Sequence, residues 1–173
     1  MGTRRAAAVA VAVTGILTAV AGCGLGDGDA TDSAAKASPT AVAPFTKETV
    51  ANEVGAAADA SGLPAGDDSM AGMPAGEWQN CVAPWLADAP EADAADGFAA
   101  TVERLRKLGW KITTSREDQD VTFRTLTKQG WKVYARHFAM EGFGDRQPVS
   151  FTAVKDGCAL PEEVQGDFSD DPA

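Results

Sequence analysis

The run Val121–Phe138, VTFRTLTKQGWKVYARHF, constrains the fold more than any other stretch. Two segments of period-two patterning flank Lys128-Gln129-Gly130, the pattern of a β-hairpin with glycine in its turn. It commits the chain to antiparallel sheet. A two-residue loop of Gln129-Gly130 would set Leu126, Arg124 and Thr122 on the face of Trp131, Val133 and Ala135. A three-residue loop with a left-handed Gly130 sets Val121, Phe123 and Thr125 there instead. Only the second gives both strands one apolar face, so it is the expected register. The opposite, outer face then carries Thr122, Arg124, Lys132, Tyr134, Arg136 and Phe138.

Around the hairpin the elements follow from periodicity. Thr46 is a suitable N-cap for a helix in which Val50, Val54 and Ala57-Ala58 recur at helical spacing, with Phe45 and Val50 spaced as a hydrophobic staple. Asp67 to Gly76 reads as exposed loop, followed by Trp78 and Trp85 on either side of Cys81, where two indoles would cover sulfur and build core. A second helix between Pro90 and Leu108 has Phe98, Val102, Leu105 and Leu108 as its stripe and Gly109 as its C′ residue. Its acids Asp88, Glu91, Asp93 and Asp96 suit a helix N-terminus. The period then becomes two: Trp110, Ile112 and Thr114 share one side of a strand, and Val149, Phe151 and Ala153 point inward from the last one. The expected fold is α+β, ordered ααββββ, with both helices on one face of a four-stranded antiparallel sheet.

The N-terminus has a different grammar. Arg4-Arg5 precede an apolar run from Ala6 to Ala21, too short to span a bilayer comfortably, as in a secretory signal peptide. The run ends in Val20-Ala21-Gly22-Cys23, which resembles the lipobox of bacterial lipoproteins. That resemblance implies cleavage before Cys23, diacylglycerol (two palmitate-type chains) on its sulfur, and stable attachment to the outer face of the cell membrane. The paired arginines leave the general and the twin-arginine export routes both open. The leader, the cysteine and the alanine-rich composition resemble small secreted lipoproteins of high-GC Gram-positive bacteria. Gly24–Pro44 is rich in Gly, Asp, Ala, Ser and Thr and reads as a disordered tether reaching roughly 25 Å. The expected organisation is signal peptide 1–22, lipidated cysteine and tether 23–44, α+β domain 45–165 and acidic tail 166–173. Export also places Cys81 and Cys158 in an oxidising compartment, where the pair is expected to form a structural disulfide.

Charge then bounds the function. The formal net charge of −10 becomes −12 once Arg4 and Arg5 leave with the leader, which disfavours nucleic acid as a partner. The only histidine, His137, is expected inward and structural. There is no G-x-S-x-G pattern, and no metal or cofactor is expected. The patch to watch is Arg124, Lys132, Tyr134, Arg136 and Phe138, basic and aromatic on an acidic protein. The expected function is a non-enzymatic binding or accessory module with a protein or envelope-polymer partner. The rival readings are a small envelope enzyme whose site is not recognisable, and a soft-metal (copper) binder using Met70 and Met73.

Overall fold

A computed structural model describes residues 44–139 and 144–168. The expected leader, Cys23 and most of the tether therefore lie outside the described residues, as does the end of the tail. Helix α1, Lys47–Asp59, starts where Thr46 Oγ1 accepts the Thr49 amide at 3.3 Å. Its buried face is Val50, Val54, Ala57 and Ala58. Helix α2, Glu91–Lys107, buries Ala94, Gly97, Phe98, Thr101, Val102 and Leu105. It stops at Gly109, whose φ of 94° is the left-handed conformation a C′ glycine supplies.

The architecture is mixed α+β, but the sheet has six strands rather than four, and a third helix follows it. The strands are β1 Val82–Ala83, β2 Leu86–Pro90, β3 Lys111–Asp118, β4 Val121–Lys128, β5 Trp131–Phe138 and β6 Arg146–Lys155. The short helix α3 is Glu162–Gln165. All pairings are antiparallel, in the order β1-β6-β5-β4-β3, with β2 also on β6.

Strands β1 and β2 keep one register on β6, from Val82↔Val154 to Pro90↔Arg146. They are one edge strand interrupted at Pro84, which has no N–H to give to a ladder. Across the gap the Phe151 amide still donates to the Trp85 carbonyl at 2.8 Å. Ala83, Trp85, Ala87 and Ala89 point inward and are buried, while Leu86, Asp88 and Pro90 are exposed. Asp88 thus belongs to this strand rather than to the start of α2. The alanines are small because the helices lie close above them: Ala87 and Ala89 share one core with Ala94 and Phe98 of α2.

The hairpin overturns the expected register. Lys128 pairs with Trp131, leaving the two-residue loop Gln129-Gly130 with φ of 48° and 79°. Positive φ at both positions is the type I′ geometry whose twist matches that of paired strands. Leu126 and Arg124 therefore face the helices with Val133 and Ala135, and Val121, Phe123 and Thr125 face outward with Phe138, Arg136 and Tyr134. The apolar-face criterion failed because both faces of β4 are buried, Leu126 on one side, Phe123 and Thr125 on the other. A bulge between Ile112 and Thr114 makes a second correction. It turns Thr114 and Arg116 outward and Ser115 and Glu117 inward, so Ile112 and Thr114 do not share a face.

Two apolar clusters result. The larger joins α1, α2 and the inward residues of the sheet, including Trp85, Trp110, Trp131 and Phe151. The smaller lies on the outer face: Trp78, Val82, Phe123, Tyr134 and Val154, with Met70, Cys158, Leu160 and Phe168 packed against it. Trp78 and Trp85 thus serve opposite faces of the sheet. Glu53 fastens α1 to the hairpin. It accepts from Lys128 Nζ at 2.7 Å and from Trp110 Nε1 at 2.8 Å, and the Lys128 ammonium sits 4.7 Å from the Phe45 ring centroid. No helix among the described residues is long and apolar enough to cross a membrane.

Candidate functional site

Cross-strand register assembles the candidate site on the outer face. Arg116 pairs with Phe123, Phe123 with Arg136, Arg136 with Ser150, and Ser150 with Leu86, forming one row from sheet edge to sheet edge. At its centre the Arg136 guanidinium lies 5.5 Å from the Phe123 ring centroid, in cation–π contact. Arg116 Nη2 stands 3.8 Å from Asp118 Oδ2, a half-exposed pair of the weak surface kind. The rows on either side add Phe138 opposite Val121, and Tyr134 opposite Thr125. Leu86, at the end of the central row, is 49% exposed.

Four of the five residues expected to form a binding face do share this one: Lys132, Tyr134, Arg136 and Phe138. Arg124 does not. It faces the helix side, where Nη1 donates to the carbonyls of Arg116 and Phe123 at 3.0 and 2.8 Å, and Nη2 pairs with Glu117 at 2.7 Å. It is a stitch between β3 and β4 and lines a cleft of about 340 Å³ beside α2. Arg116 and Phe123 take its place outside. Sequence reasoning missed both for want of the two-residue turn and of the β3 bulge. The Lys128-Gln129-Gly130 turn was a visible signal for Phe123, since glycine after a polar residue suits type I′. Nothing in the local pattern marks the bulge.

The outer face is also less open than expected. Tyr134 is only 7% exposed, beneath Phe168, whose ring centroid is 5.8 Å away. The segment expected to be a tail from residue 166 instead forms a 3-10 turn, Gly166–Phe168, that carries this ring. Cys81 and Cys158 stand at disulfide distance beside the same cluster, with Cα atoms 6.0 Å apart. They flank the β1–β6 ladder, one before Val82 and one after Lys155.

The remaining candidates sit apart from the row. His137 is buried on the helix side, where Nε2 hydrogen-bonds Gln147 Oε1 at 2.7 Å. Met70 packs against the outer cluster whereas Met73 is 42% exposed, so the two thioethers occupy different surroundings. Among the described residues no three His, Cys, Asp or Glu side chains gather as a metal site. Comparison with protein-family models, curated proteins and solved structures finds no match to this chain.

Proposed function

We propose that the chain is an exported lipoprotein, held at the outer face of the cell membrane through Cys23, whose domain is a non-enzymatic binding module. The binding surface is the outer row Arg116–Phe123–Arg136 with Phe138 and Lys132 beside it, and the partner is anionic. The observation that carries this reading is the guanidinium–aromatic row itself. Arginine held against an aromatic ring keeps its charge and planar donor set while losing little side-chain entropy on binding, which is why such pairs recur at interaction hot spots. Arg116, Lys132 and Arg136 give this face three cationic side chains on a protein whose net charge is negative. The leader, the lipobox-like Val20–Cys23 and the paired cysteines support the location.

The test joins both halves. Poly-γ-glutamate binding by the full chain at physiological salt should weaken by about tenfold or more in the Arg116→Glu, Arg136→Glu double variant. The Arg104→Glu control on the exposed side of α2 should change little. Equal weakening in both would reduce the effect to net charge and remove the face. Fractionation of expressing cells should find the chain with membranes and its Cys23→Ala variant in the medium. A medium-soluble parent chain refutes the anchor.

A further inference from the structure

The helix-facing side of the sheet holds a second site, independent of the outer face. Helix α2 rests on β2, β5 and β6, and between it and the inward side of β3 and β4 lies the cleft of about 340 Å³. Its two walls differ in chemistry. From α2 come buried Phe98 and Val102, with exposed Ala95 and Ala99 one turn apart. The alanines leave the room that larger side chains at those positions would fill. Ile112 of β3, 38% exposed, continues the apolar wall. The sheet wall is polar. Glu117 pairs with Thr122 and Thr122 with His137, so one inward row sets a carboxylate, a hydroxyl and an imidazole side by side.

His137 is the telling residue of that row. It is 5% exposed, and its Nε2 is engaged by Gln147. The other ring nitrogen, Nδ1, makes no hydrogen bond among the described residues. Yet no described side-chain nitrogen or oxygen that is sealed from solvent lacks a partner. Nδ1 is therefore reached from the cleft that this ring lines. The neighbouring Thr122 hydroxyl also has no hydrogen-bond partner among the described residues. Polar atoms this enclosed ordinarily have partners, so two without one mark where a ligand's polar group belongs. Arg124 supplies the charge. Two backbone carbonyls hold its Nη1, and its side chain is 18% exposed, but the Glu117 carboxylate on Nη2 is 73% exposed. So exposed an acid is a weak, exchangeable partner. A ligand carboxylate can replace it on Nη2 and leave both backbone bonds in place. We infer that the cleft binds a small hydroxylated aromatic carboxylate. Its ring lies along Phe98, Ala99 and Ile112, its carboxylate meets Arg124, and its hydroxyl meets Thr122 and His137. A hydroxyl both donates and accepts, so it suits the imidazole in either tautomer.

The probe is 4-hydroxybenzoate, titrated into the full chain and followed by amide and imidazole NMR shifts. It should bind saturably and move the signals of Ala99, Thr122 and His137. Thr122→Val, which keeps the side chain's shape, should weaken it by about threefold or more and leave benzoate unaffected. Glu117→Gln removes the competing carboxylate and should tighten both probes by about threefold. Ala99→Leu, at an exposed helix position that tolerates leucine, should fill the cleft and weaken both by about tenfold or more. Arg116→Glu with Arg136→Glu, on the other side of the sheet, should change little. Failure to saturate at low-millimolar probe overturns the inference, as does equal binding by the parent and Ala99→Leu. Weaker binding in Glu117→Gln overturns it too, because the acid would then be holding the ligand rather than competing with it. Loss of binding in the double arginine variant alone would move the probe to the outer face, overturning the cleft while leaving the binding face intact.

Discussion

Replacing Cys81 and Cys158 together by serine should lower the stability of the domain by about 4.5 kcal/mol, the loop-entropy value for closing the 77-residue separation between them. That figure is an upper one, because the denatured chain is never fully expanded. The effect should be uneven. The cysteines flank the Val82↔Val154 ladder and adjoin the cluster of Trp78 and Tyr134, so the outer cluster and the segment beyond Cys158 loosen first. Leu126 and Val133, fully buried under the helices, keep their packing. Urea unfolding measures the sum, and hydrogen exchange at Val154 and Tyr134 against Leu126 and Val133 measures the asymmetry. A loss under about 1 kcal/mol would mean that the bridge does little to restrict the unfolded chain.

Phe151→Ala should cost a comparable amount, about 3–5 kcal/mol, from a different source. Phe151 is fully buried, edge-on to Trp85 at 5.6 Å and stacked on Phe98 at 5.6 Å. From β6 it therefore joins the neighbouring interrupted edge strand to α2, and truncation leaves a cavity bounded by three elements. The backbone bond from its amide to Trp85 remains, so the change isolates packing. Leu86→Ala, one residue along and 49% exposed, is the control and should stay within about 0.5 kcal/mol of the parent. A Phe151→Ala loss below about 1.5 kcal/mol would show that the helices repack over the sheet without this ring.

What was legible in the sequence is what local chemistry decides. Thr46 caps α1, Gly109 ends α2, and a hairpin turns at Gly130, because caps, left-handed glycines and period-two runs act over a few residues. The edge strand was illegible because its inward residues are mostly alanine and two prolines punctuate it. Ala83, Ala87 and Ala89 carry an apolar face too shallow to stand out, and only the close approach of α2 makes them core. The register of the hairpin was misjudged through an assumption that one face is wet. Phe168, Trp78 and Leu160 bury the other face from positions far along the chain. The candidate site inherited that error at Arg124 and, through the bulge before Thr114, the omission of Arg116. Lys132, Tyr134, Arg136 and Phe138 share one face because they lie on one strand, where alternation alone fixes it.

The most direct measurement of the central idea places a photoreactive phenylalanine at Ser150, beside Arg136 in the row, in the full chain in living cells. Irradiation should yield a discrete adduct with an acidic partner. It should disappear with Arg116→Glu and Arg136→Glu and be absent when the same group replaces Arg104 on the exposed side of α2. Adducts that form equally from both positions, or that survive the double charge reversal, would contradict the outer face as the place where this domain meets its partner.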